Sequence, residues 1–396
     1  MADNFPPVNL PKRLLMGPGP SEVDPRVYRA MIQPVVSLLD PAFVPILDQL
    51  HELLRYAFRT QNAITFPISG TGSAGMEAAL VNLLEPGDTA AVIVGGVFAA
   101  RMCEIVERCG GKLIRIDVPW EAAPDPDQIR KAVGGKKVKV LAAVHSETST
   151  GVCQPLEPLR AIAQECDALL VVDAVSSLGG LPLETDLWKL DVCYSGSQKC
   201  LACPPGLAPI TVSERAAQVI SQRRRPVQSW YLDLGMIQQY WGKERRYHHT
   251  PPINMLFGFH EALRLLREEG IEAAWARHKQ SHMALVQGVE ALGLKMFVED
   301  PAARAWTVNT IRIPAGVDDA RIRTSLLNRF GIDIAGGLGK LKGQIWRIGL
   351  MGLTATPSSV LLMLSALESV LADQGFSLDR GAGVAAAEKA LQAPAH

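Results

Sequence analysis

Between about residues 62 and 250 the chain alternates short apolar runs with stretches of helical periodicity. Residues 64–68, 89–94, 112–117, 138–144, 168–172 and 207–212 read as strands, as does the apolar run that begins at Asp191. Residues 74–84, 99–109, 125–133 and 156–166 read as helices, the first stopped by Pro86-Gly87. Strands separated by single helices predict an α/β fold with a mostly parallel sheet covered on both faces. Ahead of this region, Phe43, Leu47, Leu50 and Leu54 recur at helical spacing within 41–58.

The rhythm changes after 257. Residues 258–293 read as one or two long amphipathic helices carrying Leu263, Leu266, Trp275, Leu285 and Val289. A strand at 307–313, a helix at 318–330, a strand at 345–350 and a helix at 357–372 follow, which predicts a smaller α+β unit. The expected organisation is an N-terminal arm (1–20), a large domain (21–257), a small C-terminal domain (258–375) and a tail (376–396). The arm is rich in proline and glycine, cannot form a core alone, and is expected to pack on another part of the protein or on a second subunit. The alanine-rich tail carries no strong tertiary signal.

Composition narrows the function. The chain has 396 residues, enough for two or three domains, and 48% of them are apolar. Forty basic and forty acidic residues cancel, so nothing argues for nucleic acid or an anionic membrane surface. The stretch from Met1 to Pro7 lacks the layout of a signal peptide, and no apolar run approaches the roughly 18–20 residues of a spanning helix. The C-terminal Ala393-Pro394-Ala395-His396 is not a peroxisomal address. Seven scattered cysteines suit free thiols in a reducing cytoplasm.

The candidate chemistry lies at strand ends. Lys199 closes Asp191-Val192-Cys193-Tyr194-Ser195-Gly196-Ser197-Gln198-Lys199, and Asp173 closes the apolar run 168–172. In a parallel sheet ligands sit at the carboxyl ends of strands. A lysine and an aspartate placed there meet the needs of pyridoxal phosphate: an amine to hold the aldehyde, and a carboxylate to keep the pyridine nitrogen protonated. Read alone, Lys199 is a solvated lysine and Asp173 a turn or helix-cap residue. The run Gly70-Thr71-Gly72-Ser73-Ala74-Gly75 follows a strand and opens a helix, so its N–H groups suit a phosphate. It also spells G-x-G-x-x-G, but it lies far from the first βα turn and no ribose-binding acid ends the next strand. Phe98 is either a core residue or a ring stacked on a pyridine. Arg347, inside an apolar strand, either completes a salt bridge or binds a substrate carboxylate with its planar fork. Cys200 and Cys203 lack a second ligand pair, and adjacent His248 and His249 point apart, so no metal is expected.

Together these segments resemble the class V aminotransferases of fold type I, nearest to the alanine–glyoxylate and serine–pyruvate aminotransferase group. The resemblance spans roughly residues 12–370. It is carried by Leu15-Met16-Gly17-Pro18-Gly19-Pro20-Ser21, Ser69-Gly70-Thr71-Gly72, Met76-Glu77-Ala78-Ala79-Leu80 and Glu147-Thr148-Ser149-Thr150-Gly151. Val172-Asp173-Ala174-Val175-Ser176-Ser177, the Lys199 segment, Tyr247-His248-His249-Thr250 and Trp346-Arg347-Ile348-Gly349 complete it. The resemblance implies a seven-stranded sheet in the large domain and a homodimer with shared sites. It implies that Lys199 carries pyridoxal 5'-phosphate and that Asp173 pairs with the ring nitrogen. Thr71, Gly72, Ser73 and Gln198 would hold the phosphate, with Tyr247 and Thr250 reaching it from the partner subunit. Ser149 would contact the ring region and Arg347 the α-carboxylate. Two positions depart from the family: Phe98 stands where many members have tryptophan, and Ser37-Leu38 where many bacterial relatives have Gly-His.

The expected activity is ping-pong transamination of a small L-amino acid, alanine or serine, with glyoxylate as acceptor. Serine–pyruvate, ureidoglycine–glyoxylate and aminoethylphosphonate–pyruvate transamination are alternatives within the superfamily. A cysteine desulfurase needs a nucleophilic cysteine late in the chain, and the last one here is Cys203. A nicotinamide-dinucleotide oxidoreductase and a nonenzymatic cofactor-binding regulator are the readings from other classes.

Overall fold

The computed structural model describes residues 6–392. The terminal stretches 1–5 and 393–396, which bear on the targeting expectations, lie outside the described residues. The strands are β1 (Leu14–Leu15), β2 (Ile64–Ser69), β3 (Thr89–Val94), β4 (Lys112–Asp117), β5 (Val140–Val144), β6 (Ser146–Glu147) and β7 (Val152–Cys153). They continue with β8 (Leu169–Asp173), β9 (Val192–Tyr194), β10 (Leu207–Val212), β11 (Val308–Arg312), β12 (Ile332–Asp333), β13 (Ala335–Gly336) and β14 (Ile345–Gly349). The helices run from α1 (Pro25–Met31), α2 (Val44–Phe58), α3 (Gly72–Leu83), α4 (Val97–Arg108), α5 (Pro126–Val133) and α6 (Glu157–Glu165) to α7 (Glu214–Ser221) and α8 (Leu234–Trp241). Then come α9 (Ile253–Glu269), α10 (Ile271–Ala291), α11 (Asp319–Ser325), α12 (Pro357–Ala372) and α13 (Ala382–Gln392).

The main sheet has seven strands in the order β2-β10-β9-β8-β5-β3-β4, and only β10 runs against its neighbours. Central strands β5 and β8 are buried at every position, as expected where helices cover both faces. Each fully buried Val, Leu or Ile there contributes about 1.5–3 kcal/mol. Strands β11, β14 and β13 form a separate antiparallel sheet. No helix among the described residues is long and apolar enough to cross a membrane.

Two large cores result. Helix α9 runs across the expected boundary at 257 and buries Leu256, Phe259 and Leu263 in the first core, which extends to Ala274. The second core takes up α10 only from Ala284 onward. Gly270, at φ +89°, separates the two helices. Two parts differ from expectation, and the arm takes one of its two expected alternatives. Helices α7 and α8 form where the sequence shows no clear periodic signal. The arm pairs within the chain: β1 lies parallel to β12, and Met16 is fully buried in the second core. The tail also packs, correcting the reading that it carries no tertiary signal. Helix α13 buries Ala387 completely and brings Gly383 close to Leu292 and Gly288. Small residues allow that close approach, and their weak hydrophobicity is why the pattern is faint in sequence.

Candidate active site

Asp173 ends β8, with Val144 of β5 on one side and Tyr194 of β9 on the other. Its carboxylate is 3% exposed and accepts from the Tyr194 hydroxyl at 2.9 Å and the Val175 N–H at 2.8 Å. Burial raises its pKa from the ordinary 3.8 to about 7. Tyr194 is a site residue that sequence reasoning missed. The signal was available: it is the last residue of an apolar run, in register with Asp173.

Lys199 follows β9 on a loop anchored to β10 and to the arm. Ser195 N–H donates to Pro209 O and Ser197 N–H to Leu207 O, both within the sheet edge. Ser21 then clamps the loop, its N–H donating to Gln198 O at 2.8 Å and its hydroxyl to Lys199 O at 2.6 Å. The Lys199 ammonium donates to Pro18 O. A side chain at Gly19 (φ +104°) would collide with the Lys199 stem, so glycine is required there. No carboxylate forms an ion pair with Lys199 among the described residues. Burial lowers its pKa to about 8, and the Arg347 charge acts in the same direction. The arm therefore covers the lysine of its own chain.

The phosphate-loop candidates lie between β2 and α3. Thr71 occupies the N-cap position of α3, yet its side chain makes no capping bond. The N–H groups of Gly72 and Ser73 have no partner among the described residues. Thr71 and Ser73 are exposed, whereas Gly72 is buried against Val175 and Gly196. The Gln198 amide oxygen is buried without a partner and faces Gly196. Turning that amide over would present an N–H2 instead. Beside this loop, Ser69 meets His249 Nε2 at 2.8 Å, and the Tyr231 hydroxyl donates to Ser69 O at 3.2 Å. His248 stacks on Trp230 at 4.3 Å. Tyr247 is 62% exposed and Thr250 is also exposed, and neither makes a side-chain hydrogen bond to this chain's own loop among the described residues.

Phe98 lies in the first turn of α4, half-buried, with the Arg101 guanidinium 4.7 Å from its ring centre. Ser149 is fully buried, its hydroxyl donating to Glu147 Oε1 at 2.6 Å and accepting from Val97 N–H at 2.9 Å. Arg347 is 6% exposed in β14. Its Nε donates to Gly336 O at 2.8 Å and its Nη1 to Thr148 O at 3.0 Å. No acid forms an ion pair with it among the described residues, so the structural salt bridge that the sequence left open does not form. Burial lowers its pKa to about 10, opposed by the charge of Glu147.

The remaining candidates stay outside this group. Cys200 and Cys203 are buried thiols, each pushed up to about 12 by burial. Ser37 is exposed and Leu38 half-buried, with the Tyr240 hydroxyl donating to Leu38 O at 3.0 Å. Thus Asp173, Lys199, Gln198, the α3 terminus, Ser149 and Arg347 gather at the carboxyl edge of the sheet. The arrangement can hold an anion at a helix end, position an aromatic cation over a buried acid, and offer an amine and a guanidinium to one small substrate.

The chain is similar to known proteins along most of its length. The family model for aminotransferase class V matches residues 28–343. The chain is 41% identical to an (S)-ureidoglycine–glyoxylate transaminase of Bacillus subtilis over 97% of its own length and 94% of that protein. It is 39% identical to an alanine–glyoxylate aminotransferase of Callithrix jacchus, covering 92% and 89%. A crystal structure of an alanine–glyoxylate aminotransferase from Nostoc is 43% identical and superposes with a TM-score of 0.91, over 94% of this chain and 99% of that one. A mostly parallel sheet with a buried acid and a lysine without an ion pair among the described residues at its carboxyl edge, and relatives matched over nearly their whole length, lead to one conclusion: the chain belongs to the class V aminotransferases of fold type I.

Proposed function

We propose that the protein catalyses ping-pong transamination between a small L-amino acid, alanine or serine, and glyoxylate, with pyridoxal 5'-phosphate as cofactor. The observation that carries this reading is Lys199: a part-buried amine with no acidic ion-pair partner among the described residues, on the same sheet edge as Asp173 and within the field of Arg347. The residues present suit the cofactor. The open end of α3 and the hydroxyls of Thr71 and Ser73 supply donors for a phosphate, with Gly72 and Gly196 leaving room beside them. Gln198 adds an amide whose buried oxygen lacks a partner among the described residues. Asp173 would face the ring nitrogen, Phe98 would stack on the ring, and Ser149 would border it.

Once bound, the cofactor supplies an electron sink for the charge left when an α-proton departs. The protein handles the proton and the substrate. Lys199 would hold the cofactor, and its free amine, lowered to about 8 by burial, is in part neutral at physiological pH, which suits accepting an α-proton. Asp173 would pair with the ring nitrogen and help keep it protonated, with the Tyr194 hydroxyl orienting the carboxylate. Arg347 keeps Nη2 free of protein partners among the described residues, which suits a two-point grip on a substrate carboxylate.

A homodimer completes the site in this reading, with Tyr247 and Thr250 reaching the partner's phosphate. Exposed apolar side chains support an interface: Val8, Leu10, Ile32 and Val35 are each more than 70% exposed. The same reading places the protein in the cytoplasm as a catalyst of small-molecule exchange.

The Bacillus relative's name favours a second reading, in which (S)-ureidoglycine is the amino donor. A donor screen separates the two. Alanine, serine and ureidoglycine are compared with glyoxylate and with pyruvate as acceptors. Turnover of alanine or serine with glyoxylate is the expected result. Conversion of ureidoglycine alone would replace the first reading with the second, and conversion of none would overturn both.

A further inference from the structure

The first turn of α4 is capped entirely from outside the helix, and the group that does most of this is not among the residues assigned above. Gly96 precedes the helix and has no side chain to cap it. Val97 N–H donates to Ser149 Oγ at 2.9 Å, Phe98 N–H to Glu147 Oε1 at 3.4 Å and Ala99 N–H to Glu147 Oε2 at 3.2 Å. Ser149 returns two more bonds to Glu147 Oε1, from its hydroxyl at 2.6 Å and its N–H at 3.1 Å. Every contact to the Glu147 carboxylate is a donor, so the ionised form satisfies them all. Burial works against that charge and raises its pKa, while the positive end of the helix favours it. Gly96 is the matching notch: a Cβ there would overlap the Glu147 carboxylate and lie 2.5 Å from Ser149 Oγ.

The opposite side of the same turn holds the substrate arginine. Thr148 O accepts from Arg347 Nη1 at 3.0 Å, and Thr148 Oγ1 donates to Ser176 Oγ at 3.1 Å. Thr150 O accepts from Thr310 Oγ1 at 2.8 Å, in the strand beside Arg347. The turn from 147 to 150 thus joins the helix start that carries Phe98 to the guanidinium.

We propose that Glu147 is a positioning residue that locks the first turn of α4, and with it Phe98, to the turn that anchors Arg347, so that ring stacking and carboxylate binding are set by one rigid piece. This rests on the active-site reading above. A cap that only stabilised the fold would change melting temperature and leave ligand binding alone.

Glu147→Gln keeps the shape but places an N–H2 against a backbone N–H. Pyridoxal 5'-phosphate is titrated into cofactor-free wild type, Glu147→Gln and Ser149→Ala, and the visible circular dichroism of the bound form is recorded. The expected result is about ten-fold weaker binding in Glu147→Gln with a diminished dichroic band, and a smaller change in the same direction in Ser149→Ala. For the donor that turns over, KM should rise about ten-fold in Glu147→Gln, more than kcat falls. Failure of the wild type to bind the cofactor would overturn the active-site reading itself. Wild-type binding with unaltered affinity, dichroism and KM in the folded variants would overturn the role of Glu147 alone. Amide exchange in the wild type needs no variant: Phe98 and Ala99 should exchange far more slowly than Gly72 and Ser73, and equal rates would also overturn the proposal.

Discussion

Helices α3 and α4 start alike and end up with opposite tasks. Both have 12 residues, both follow a strand of the main sheet, and neither has a capping bond from its own N-cap side chain. Yet α3 leaves the N–H groups of Gly72 and Ser73 without partners, while α4 gives all three of its first N–H groups to Glu147 and Ser149. An open helix end is a ready anion site, and a closed one is a fixed strut. One fold therefore offers a place for a phosphate and a rigid mount for an aromatic ring by filling one helix end and leaving the other empty.

The strongest way to break this contrast is to close α3 as well. Thr71→Asp places a carboxylate at its N-cap, which stabilises the cofactor-free chain by about 1 kcal/mol in thermal unfolding. The same charge opposes a phosphate, so cofactor affinity by fluorescence titration should fall about 100- to 1000-fold. Next comes opening α4: Glu147→Ala leaves Phe98 and Ala99 N–H groups buried without an acceptor, and should cost about 2–3 kcal/mol in chemical denaturation. Gly96→Ala acts on the same end through space alone. Its methyl group displaces the Glu147 carboxylate, and the expected loss is about 1–2 kcal/mol by the same measurement.

The gentlest test uses pH on the floor between the two ends. Asp173 has a folded pKa of about 7 against an ordinary 3.8, so the folded chain holds that proton more tightly. Its contribution to stability is full below about pH 4 and is lost as pH rises through 7. Lys199 runs the other way, at about 8 against 10.5: its contribution is full above 10.5 and is lost as pH falls through 8. Between pH 4 and 7 the Asp173 contribution to cofactor-free stability should decline by at most about 1.4 kcal/mol per pH unit. Asp173→Asn should remove that component from a denaturation series.

Much of the site was legible because its signals are local. Asp173 and Lys199 each close an apolar run, and the glycine-rich loop sits between a strand and a helix, so neighbours in the chain reveal all three. Tyr194 escaped notice although it shares a register row with Asp173, because its partner lies on another strand. Glu147 shows no role from its chain neighbours, because the groups it caps lie about fifty positions away. Arg347 was ambiguous for the same reason: a guanidinium in a strand cannot declare its partner, and here the acceptors are the carbonyls of Gly336 and Thr148. The arm's apolar residues lie among prolines and glycines without a helical or strand period, and the tail is mostly alanine, so their places in the second core were hidden.

By itself the sequence determined the alternation of strands and helices, the family, and the residues at the strand ends, since periodicity and chain neighbours express these directly. Only the tertiary structure decided which helix end stays open, which acid closes the other, and that Pro18 of the arm and Ser21 just after it hold the Lys199 loop. Those choices depend on groups distant in sequence meeting in a dry interior. There an N–H either finds an acceptor or is left for a ligand.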